Sequence, residues 1–326
     1  MSQTLAASTA SSLAAMNFAM AKMPMFHSIP MQYPLPMVIG HRGAKDIAPE
    51  NTIAAMRAAK AVGTTCVEVD VMLTKDGVPV IHHDNTVDRC TTGAGRLQDL
   101  NWAELRELDV GSHFCPDFKD ERIPSLKEMV EVCWALGLDL NIEIKHSNDD
   151  AALVPTEEER LREVELATVT CLTLLSLDAD PERVFLSSFS IPALEVAQAM
   201  LPHFRRSYLV EDIPLGWAEM TKKLGCASFQ FWHEKVCQEE IEACALTGIP
   251  LYAYTVNDPA RAEELISWGL SGVFSDAPHL VRRHLWARGL DLSLEKTRRA
   301  SSVSSDEAPL ADLISNGMPL LQPPLS

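Results

Sequence analysis

Three things are scarce in this chain: basic residues, paired cysteines and long apolar runs. Its 28 Lys and Arg face 45 Asp and Glu, for a net charge of −17. That balance argues against nucleic acid or an anionic membrane as the main partner. It leaves room for a small anionic ligand held by local positive charge, because distant surface charge is screened over about 8 Å at physiological salt. The eight cysteines (66, 90, 115, 133, 171, 226, 237 and 244) include no C-x-x-C pair and are scattered through apolar stretches. A disulfide framework suits a much shorter secreted chain, so these residues read as reduced, mostly buried thiols. No apolar run reaches the roughly 18 residues of a membrane span, and stable membrane insertion is not expected.

The two ends are compositionally distinct from the middle. Residues 1–36 are rich in Ala, Ser and Met, and Lys22 is their only charge. Ala19-Met20-Ala21 imitates a signal-peptidase site, but the charge follows that site and leaves no basic n-region. A disordered leader on a cytoplasmic protein is the favoured reading, with secretion as the alternative. Residues 289–326 are rich in Ser, Pro and acidic residues and read as a disordered tail.

Between these ends the pattern alternates. Short β-rich runs at 37–40, 66–71, 138–144, 183–187, 205–210, 226–230, 249–254 and 271–274 are each followed by an amphipathic helical run. The helical runs are 50–62, 125–136, 157–175, 191–200, 215–224, 236–246, 259–267 and 279–287. Eight βα units in order predict an α/β fold of the (β/α)₈ TIM-barrel type over residues 37–288, with an open doubly wound sheet as the alternative. One segment breaks the rhythm. Thr74-Lys75-Asp76-Gly77 is a turn signal, and Val78-Pro79-Val80-Ile81 reads as an extra strand folding back on the second. Residues 84–122 show little periodicity beyond a short helix near 101–108, and read as a small insertion capping the barrel mouth.

Cys66-Val67-Glu68-Val69-Asp70-Val71 carries the strongest local signal. Residues two apart on a strand share a face, so Glu68 and Asp70 project together while the valines face opposite. Leu140-Asn141-Ile142-Glu143-Ile144-Lys145 repeats the pattern, with Asn141, Glu143 and Lys145 on one side. Buried charge needs compensation, and a divalent cation would supply it. The blander readings are a strand end reaching solvent, or a salt bridge to Arg or Lys. In a barrel the C-terminal strand ends would gather Gly40-His41-Arg42-Gly43, Glu68, Asp70, His82-His83-Asp84, Glu143 and Lys145 into one mouth. Three carboxylates are hard oxygen ligands suited to Mg²⁺ or Ca²⁺. Arg42 and Lys145 suit phosphate oxygens, and histidines suit general acid/base chemistry. Three carboxylates, two basic side chains and a divalent ion leave one positive charge, which one phosphodiester anion neutralises. His82 and His83 point to opposite faces, so only one of them enters the site. His113, His146, His203, His233 and His279 have no motif around them and read as surface or interior histidines. Phe229, Phe231 and Trp232 read as core, and Gly93 and Gly95 as turn-shaping residues.

Val38-Ile39-Gly40-His41-Arg42-Gly43, Ala48-Pro49-Glu50-Asn51-Thr52, Val67-Glu68-Val69-Asp70-Val71, His83-Asp84, Asn141-Ile142-Glu143-Ile144-Lys145, Tyr254-Thr255-Val256-Asn257 and Gly272-Val273-Phe274-Ser275-Asp276 occur in that order. Together they resemble the successive motifs of the glycerophosphodiester phosphodiesterase family, most closely its short bacterial cytosolic members. The resemblance implies a metal held by Glu68, Asp70 and Glu143. It further implies His41 and His83 as the acid/base pair, Arg42 and Lys145 on the phosphate, and Glu50 and Asn51 as supports. His83, not His82, matches the family histidine. The implied reaction is hydrolysis of a glycerophosphodiester, a small-molecule substrate, to glycerol 3-phosphate and an alcohol. One departure stands out: the family usually has Trp where this chain has Tyr254, which still offers an apolar wall for glycerol. Phe189 is a weaker candidate for the same pocket. Lysophospholipase-D-type activity and a non-catalytic binding role are the rival readings. Neither the oligomeric state nor the preferred alcohol follows from the chain.

Overall fold

The computed structural model describes residues 35–146 and 155–291. The expected leader and tail therefore lie almost wholly outside the described residues. The barrel strands are β1 (Val38–Gly40), β2 (Cys66–Leu73), β4 (Asp139–Ile144), β5 (Val184–Ser188), β6 (Arg205–Val210), β7 (Ser228–Trp232), β8 (Leu251–Tyr254) and β9 (Gly272–Ser275). They pair in parallel around the sheet, and β1 pairs with both β9 and β2, so the sheet closes into a (β/α)₈ barrel. β3 (Pro79–Ile81) runs antiparallel to the end of β2 and is additional to the eight. The helices are α1 (Ile53–Ala61), α2 (Trp102–Leu105), α3 (Leu126–Leu136), α4 (Glu157–Ser176), α5 (Ile191–Met200), α6 (Trp217–Lys223), α7 (Gln238–Ala245), α8 (Pro259–Ser267) and α9 (Pro278–Ala287).

Period-two alternation sorts each strand between two environments. Val67, Val69, Val71, Leu140, Ile142 and Ile144 face outward and pack on Ala55, Met56, Met129 and Cys133 of α1 and α3. The interior is layered. Ile39, Cys66, Phe185, Tyr252 and Phe274 form an apolar floor, tied to the incoming chain by the Tyr252 hydroxyl donating to the Leu35 carbonyl at 2.9 Å. Asn141, Ser187, Ser207, Ser228 and Gln230 are further buried polar residues, Asn141 in register with Glu68 and Ser187 with Glu143. Phe229 and Phe231 belong to the outer core beneath the helices. The segment after β3 builds its own small core from Val80, Val87, Leu97, Leu105, Val110 and Ile123.

Several element ends differ from the sequence expectation. The helix expected from residue 50 starts at Ile53, with Thr52 as its N-cap accepting from the Ala55 amide at 3.1 Å. Asn51 is excluded because it adopts a left-handed conformation (φ 59°) and turns its amide toward β2. β7 runs two residues later than expected, its register with β6 beginning at Ser228 opposite Ser207. The helix expected near 101–108 is one turn, Trp102–Leu105.

Ile142 is fully buried on the outer face of β4, whereas Leu246 is almost fully exposed. Ile142→Ala should cost about 2–5 kcal/mol in denaturant unfolding, and Leu246→Ala less than about 0.5 kcal/mol. Equal losses would contradict this assignment of the core.

Candidate active site

The first wall of the site is the turn after β1. Gly43 takes φ 92°, and a Cβ there would lie within 3 Å of α1 atoms. The turn folds Arg42 back across the mouth at φ 51°. The Arg42 amide donates to Glu68 Oε2 at 2.9 Å, and its Nη1 donates to Glu50 Oε1 at 2.7 Å. Arg42 Nε lies 3.3 Å from Asp70 Oδ2. Asn51, brought over by its left-handed turn, donates its amide to the same Asp70 oxygen at 2.8 Å.

β2 and β4 bring the acids together. Their parallel register puts Asp70 beside Glu143 and Glu68 beside Asn141. Glu68, Asp70 and Glu143 each offer an oxygen within 4.8 Å of the others, a spacing that can hold a metal ion. Lys145 Nζ donates to Glu143 Oε1 at 2.9 Å and lies 3.5 Å from Asp70 Oδ1. Glu68 and Asp70 are thus buried and Glu143 half-buried, and Asp70 and Glu143 are also salt-bridged, so two readings of the strands hold at once. The pairing is incomplete: Glu68 Oε1 is buried and accepts no hydrogen bond from a described residue. Burial, with Asp70 and Glu143 alongside, pushes the Glu68 carboxyl well above its ordinary range. Asp70 resists the same burial and is held low by His83, Arg42, Lys145 and Asn51. Lys145 is raised despite burial by Glu143 and Asp70. This electrostatic pattern, with carboxylates crowded and two buried oxygens, Glu68 Oε1 and Asp70 Oδ1, accepting no hydrogen bond from a described residue, is the kind that an added cation relieves.

Two histidines face the cluster, each with a carboxylate behind it. His41 Nδ1 donates to Asp276 Oδ1 and His83 Nδ1 to Asp84 Oδ1, both at 2.6 Å. Each pairing reserves Nε2 for the site side of the ring. Burial and the neighbouring Arg42 lower His41, while Asp276 opposes them. Asp276, though raised by burial, is brought down to about 2 chiefly by its hydrogen bond from His41. Asn257 holds Asp276 through its amide at 2.9 Å and accepts the Asp276 backbone N–H at 2.8 Å. His82 points away from the site, where its Nε2 meets the Thr86 carbonyl at 3.0 Å.

Tyr254 and Phe189 form an aromatic wall, edge to face with centroids 5.9 Å apart. The Tyr254 hydroxyl is anchored on the Val210 carbonyl at 2.7 Å. His146, which no motif marked, stacks on Phe189 at 5.1 Å. A cavity of about 490 Å³ opens beside Phe189, with Leu209, Ile191, Glu195, Glu211 and Asp212 in its walls.

Sequence reasoning placed Asp84 at the mouth and Asp276 in the closing motif but gave neither a role behind a histidine. Asp84 adjoins His83 and Asp276 directly follows the last strand, so adjacency and barrel closure were available signals. Arg89 had no such signal. Its guanidinium lies between Glu50 and Asp84, donating to Glu50 Oε2 and Oε1 at 2.9 and 2.7 Å and to Asp84 Oδ2 and Oδ1 at 2.6 and 2.9 Å.

Comparison with known proteins identifies the family. The model of the glycerophosphoryl diester phosphodiesterase family matches residues 41–280. A glycerophosphodiester phosphodiesterase of Caldanaerobacter subterraneus subsp. tengcongensis is 34% identical over 251 residues, covering 76% of this chain and 98% of that protein. One from Bacillus subtilis is 28% identical over 261 residues, covering 76% of this chain and 85% of the relative. A phosphodiesterase from Oleispira antarctica, solved in complex with the product sn-glycerol-3-phosphate, superposes with a TM-score of 0.69 at 35% identity, covering 77% of this chain and 97% of the other. By fold and by sequence, this chain belongs to the glycerophosphoryl diester phosphodiesterase family and is a phosphoric diester hydrolase.

Proposed function

We propose that this enzyme hydrolyses glycerophosphodiesters to sn-glycerol 3-phosphate and an alcohol, using one divalent cation, Mg²⁺ or Ca²⁺, and general acid/base catalysis. The observation that carries this reading is the meeting of three carboxylates, Arg42, Lys145 and two carboxylate-backed histidines at one barrel mouth. The product bound to the Oleispira antarctica relative supports the same substrate class. Glu68, Asp70 and Glu143 are an all-oxygen donor set, and the unsatisfied Glu68 Oε1 fits a cation ligand. When bound, such a cation supplies Lewis acidity to phosphate oxygens.

The chain's own residues do the rest. Arg42 and Lys145 bind the phosphate, held in place by Glu50, Asp70 and Glu143. Asn51 fixes Asp70 in turn. Tyr254 and Phe189 wall the glycerol. His83 takes the proton from the attacking oxygen as its bond to phosphorus forms. His41 gives its proton to the alcohol oxygen as the old P–O bond breaks. The attacking oxygen is either water or the substrate's own glycerol hydroxyl. In the second case a cyclic phosphate forms and water opens it.

The cavity beside Phe189 bears on the alcohol half. Carboxylates in its wall oppose burial of an acyl chain, so small head groups are favoured over lysophospholipids. Among the described residues no helix is long and apolar enough to cross a membrane. We assign the catalytic domain to residues 37–288 and the protein to the cytoplasm. An intact N-terminus on protein from the cytosolic fraction would support that location, and cleavage after Ala21 would overturn it.

Hydrolysis of glycerophosphocholine and glycerophosphoethanolamine should be lost on adding EDTA and return with Mg²⁺ or Ca²⁺. His83→Ala should lower kcat by about 10²–10⁴-fold. Turnover that survives both treatments would sink the mechanism. Tight binding without turnover in the unaltered protein would favour the binding-protein reading. Faster cleavage of lysophosphatidylcholine than of glycerophosphocholine would favour the lipid reading.

A pH profile separates the histidine roles. His41 as acid must be protonated, so activity falls as pH rises through its pKa. A phosphodiester anion on Arg42 cancels one of the two causes that lower His41. The basic limb of kcat should therefore lie at higher pH than that of kcat/KM, and coincident limbs would count against His41 as the acid.

A further inference from the structure

We infer that Arg89, which no motif singled out, is a positioning residue. It aims His83 through Asp84 and ties that histidine to the phosphate-binding arm through Glu50. The inference rests on the proposed acid/base reading and assigns a task to the segment inserted after β3.

Arg89 is presented by a tightly tied loop. Val87 is buried in the insertion's own core, and its amide donates to the Gly95 carbonyl at 3.0 Å. The Thr91 hydroxyl donates to the Val87 carbonyl at 2.7 Å, closing the turn around Arg89. From this base the guanidinium fork meets two carboxylates at once, with four hydrogen bonds between 2.6 and 2.9 Å. Both carboxylates already serve a site residue: Asp84 accepts from His83 Nδ1, and Glu50 accepts from Arg42 Nη1. Hydrogen bonds therefore run without a gap from His83 through Asp84, Arg89 and Glu50 to Arg42.

The two ends of this chain depend on Arg89 unequally. The Arg42 side chain is only 10% exposed and is also held by Asp70, and its backbone amide by Glu68. The side chains of His83 and Asp84 are 32% and 23% exposed, so packing constrains them less than it constrains Arg42. Asp84 keeps its orientation through Arg89, and His83 keeps its own through Asp84. Removing the guanidinium frees Asp84 to turn to water and leaves the imidazole without its guide. A lysine offers a point charge in place of a planar fork and cannot reproduce both bidentate contacts. Loss of Arg89 should therefore impair proton transfer more than phosphate binding.

The test uses the full-length, metal-loaded enzyme with glycerophosphocholine as probe. Arg89→Ala should lower kcat by about 10- to 100-fold while KM changes by less than about twofold, the mark of an interaction made in the transition state. Arg89→Lys should recover only part of the loss, and added guanidinium ion should partly rescue Arg89→Ala. An Asp84→Asn/Arg89→Ala double variant should be no slower than the slower single variant, because both act on one histidine. Unchanged kcat, a rise confined to KM, or multiplicative losses would each overturn the inference. A crystal structure of Arg89→Ala, or of Arg89→Lys should the alanine variant fail to fold, gives a readout that needs no turnover. The His83–Asp84 hydrogen bond should be broken or displaced, and its retention at full occupancy would overturn the inference. If the parent enzyme does not cleave the probe, the proposed function fails, while the crystal structure still decides the role of Arg89.

Discussion

Everything at the mouth of this barrel answers one electrostatic problem: three carboxylates projecting into a confined interior. Glu68, Asp70 and Glu143 cannot all stay ionised there without compensation, because desolvation and mutual repulsion act in the same direction. Arg42 and Lys145 offset part of that cost and are themselves held charged by it. The compensation falls short at Glu68, where one buried oxygen has no hydrogen-bond donor among the described residues. A divalent cation would more than offset that remaining negative charge, and the surplus is what a phosphodiester anion would then neutralise, which is why the proposed function puts both at one cluster.

The fold makes that concentration of charge tolerable by layering it. An apolar floor of Ile39, Phe185, Tyr252 and Phe274 closes the barrel from below, and buried serine and amide side chains lie in register with Glu68 and Glu143. Stability resides outside, where the opposite faces of the same strands pack against helices. A strand such as β2 therefore carries two separate tasks on its two faces. The alternation of valine with acid in Cys66–Leu73 is the local record of that division.

The histidines depend on a different feature, the closure of the sheet. β1 pairs with β9, and the His41 amide donates to the Ser275 carbonyl at 2.8 Å. That seam delivers Asp276 to His41 across 235 residues of sequence. His83 receives its carboxylate from the next residue, but that carboxylate is steadied from the insertion. The two halves of the proposed acid/base pair are thus supported by opposite means, one by the barrel seam and one by an added loop.

Much of this was legible in the chain because its causes are local. Period-two alternation exposed Glu68, Asp70 and Glu143 as inward-facing, the βα rhythm predicted the barrel, and the D-G turn marked the extra strand. Where a local rule met a tertiary demand, it failed. Helix periodicity placed Asn51 inside the first helix, but its contact with Asp70 holds it in a left-handed turn outside. The sequence by itself determined which residue types face the interior and in what order they arrive along the chain. Only the tertiary structure decided which of them touch: Asp276 with His41, His146 with Phe189, and Arg89 between Glu50 and Asp84. The physical reason is that face and period are properties of a single strand or helix. A contact between distant residues is set by how the closed sheet and its inserted loop pack around one another.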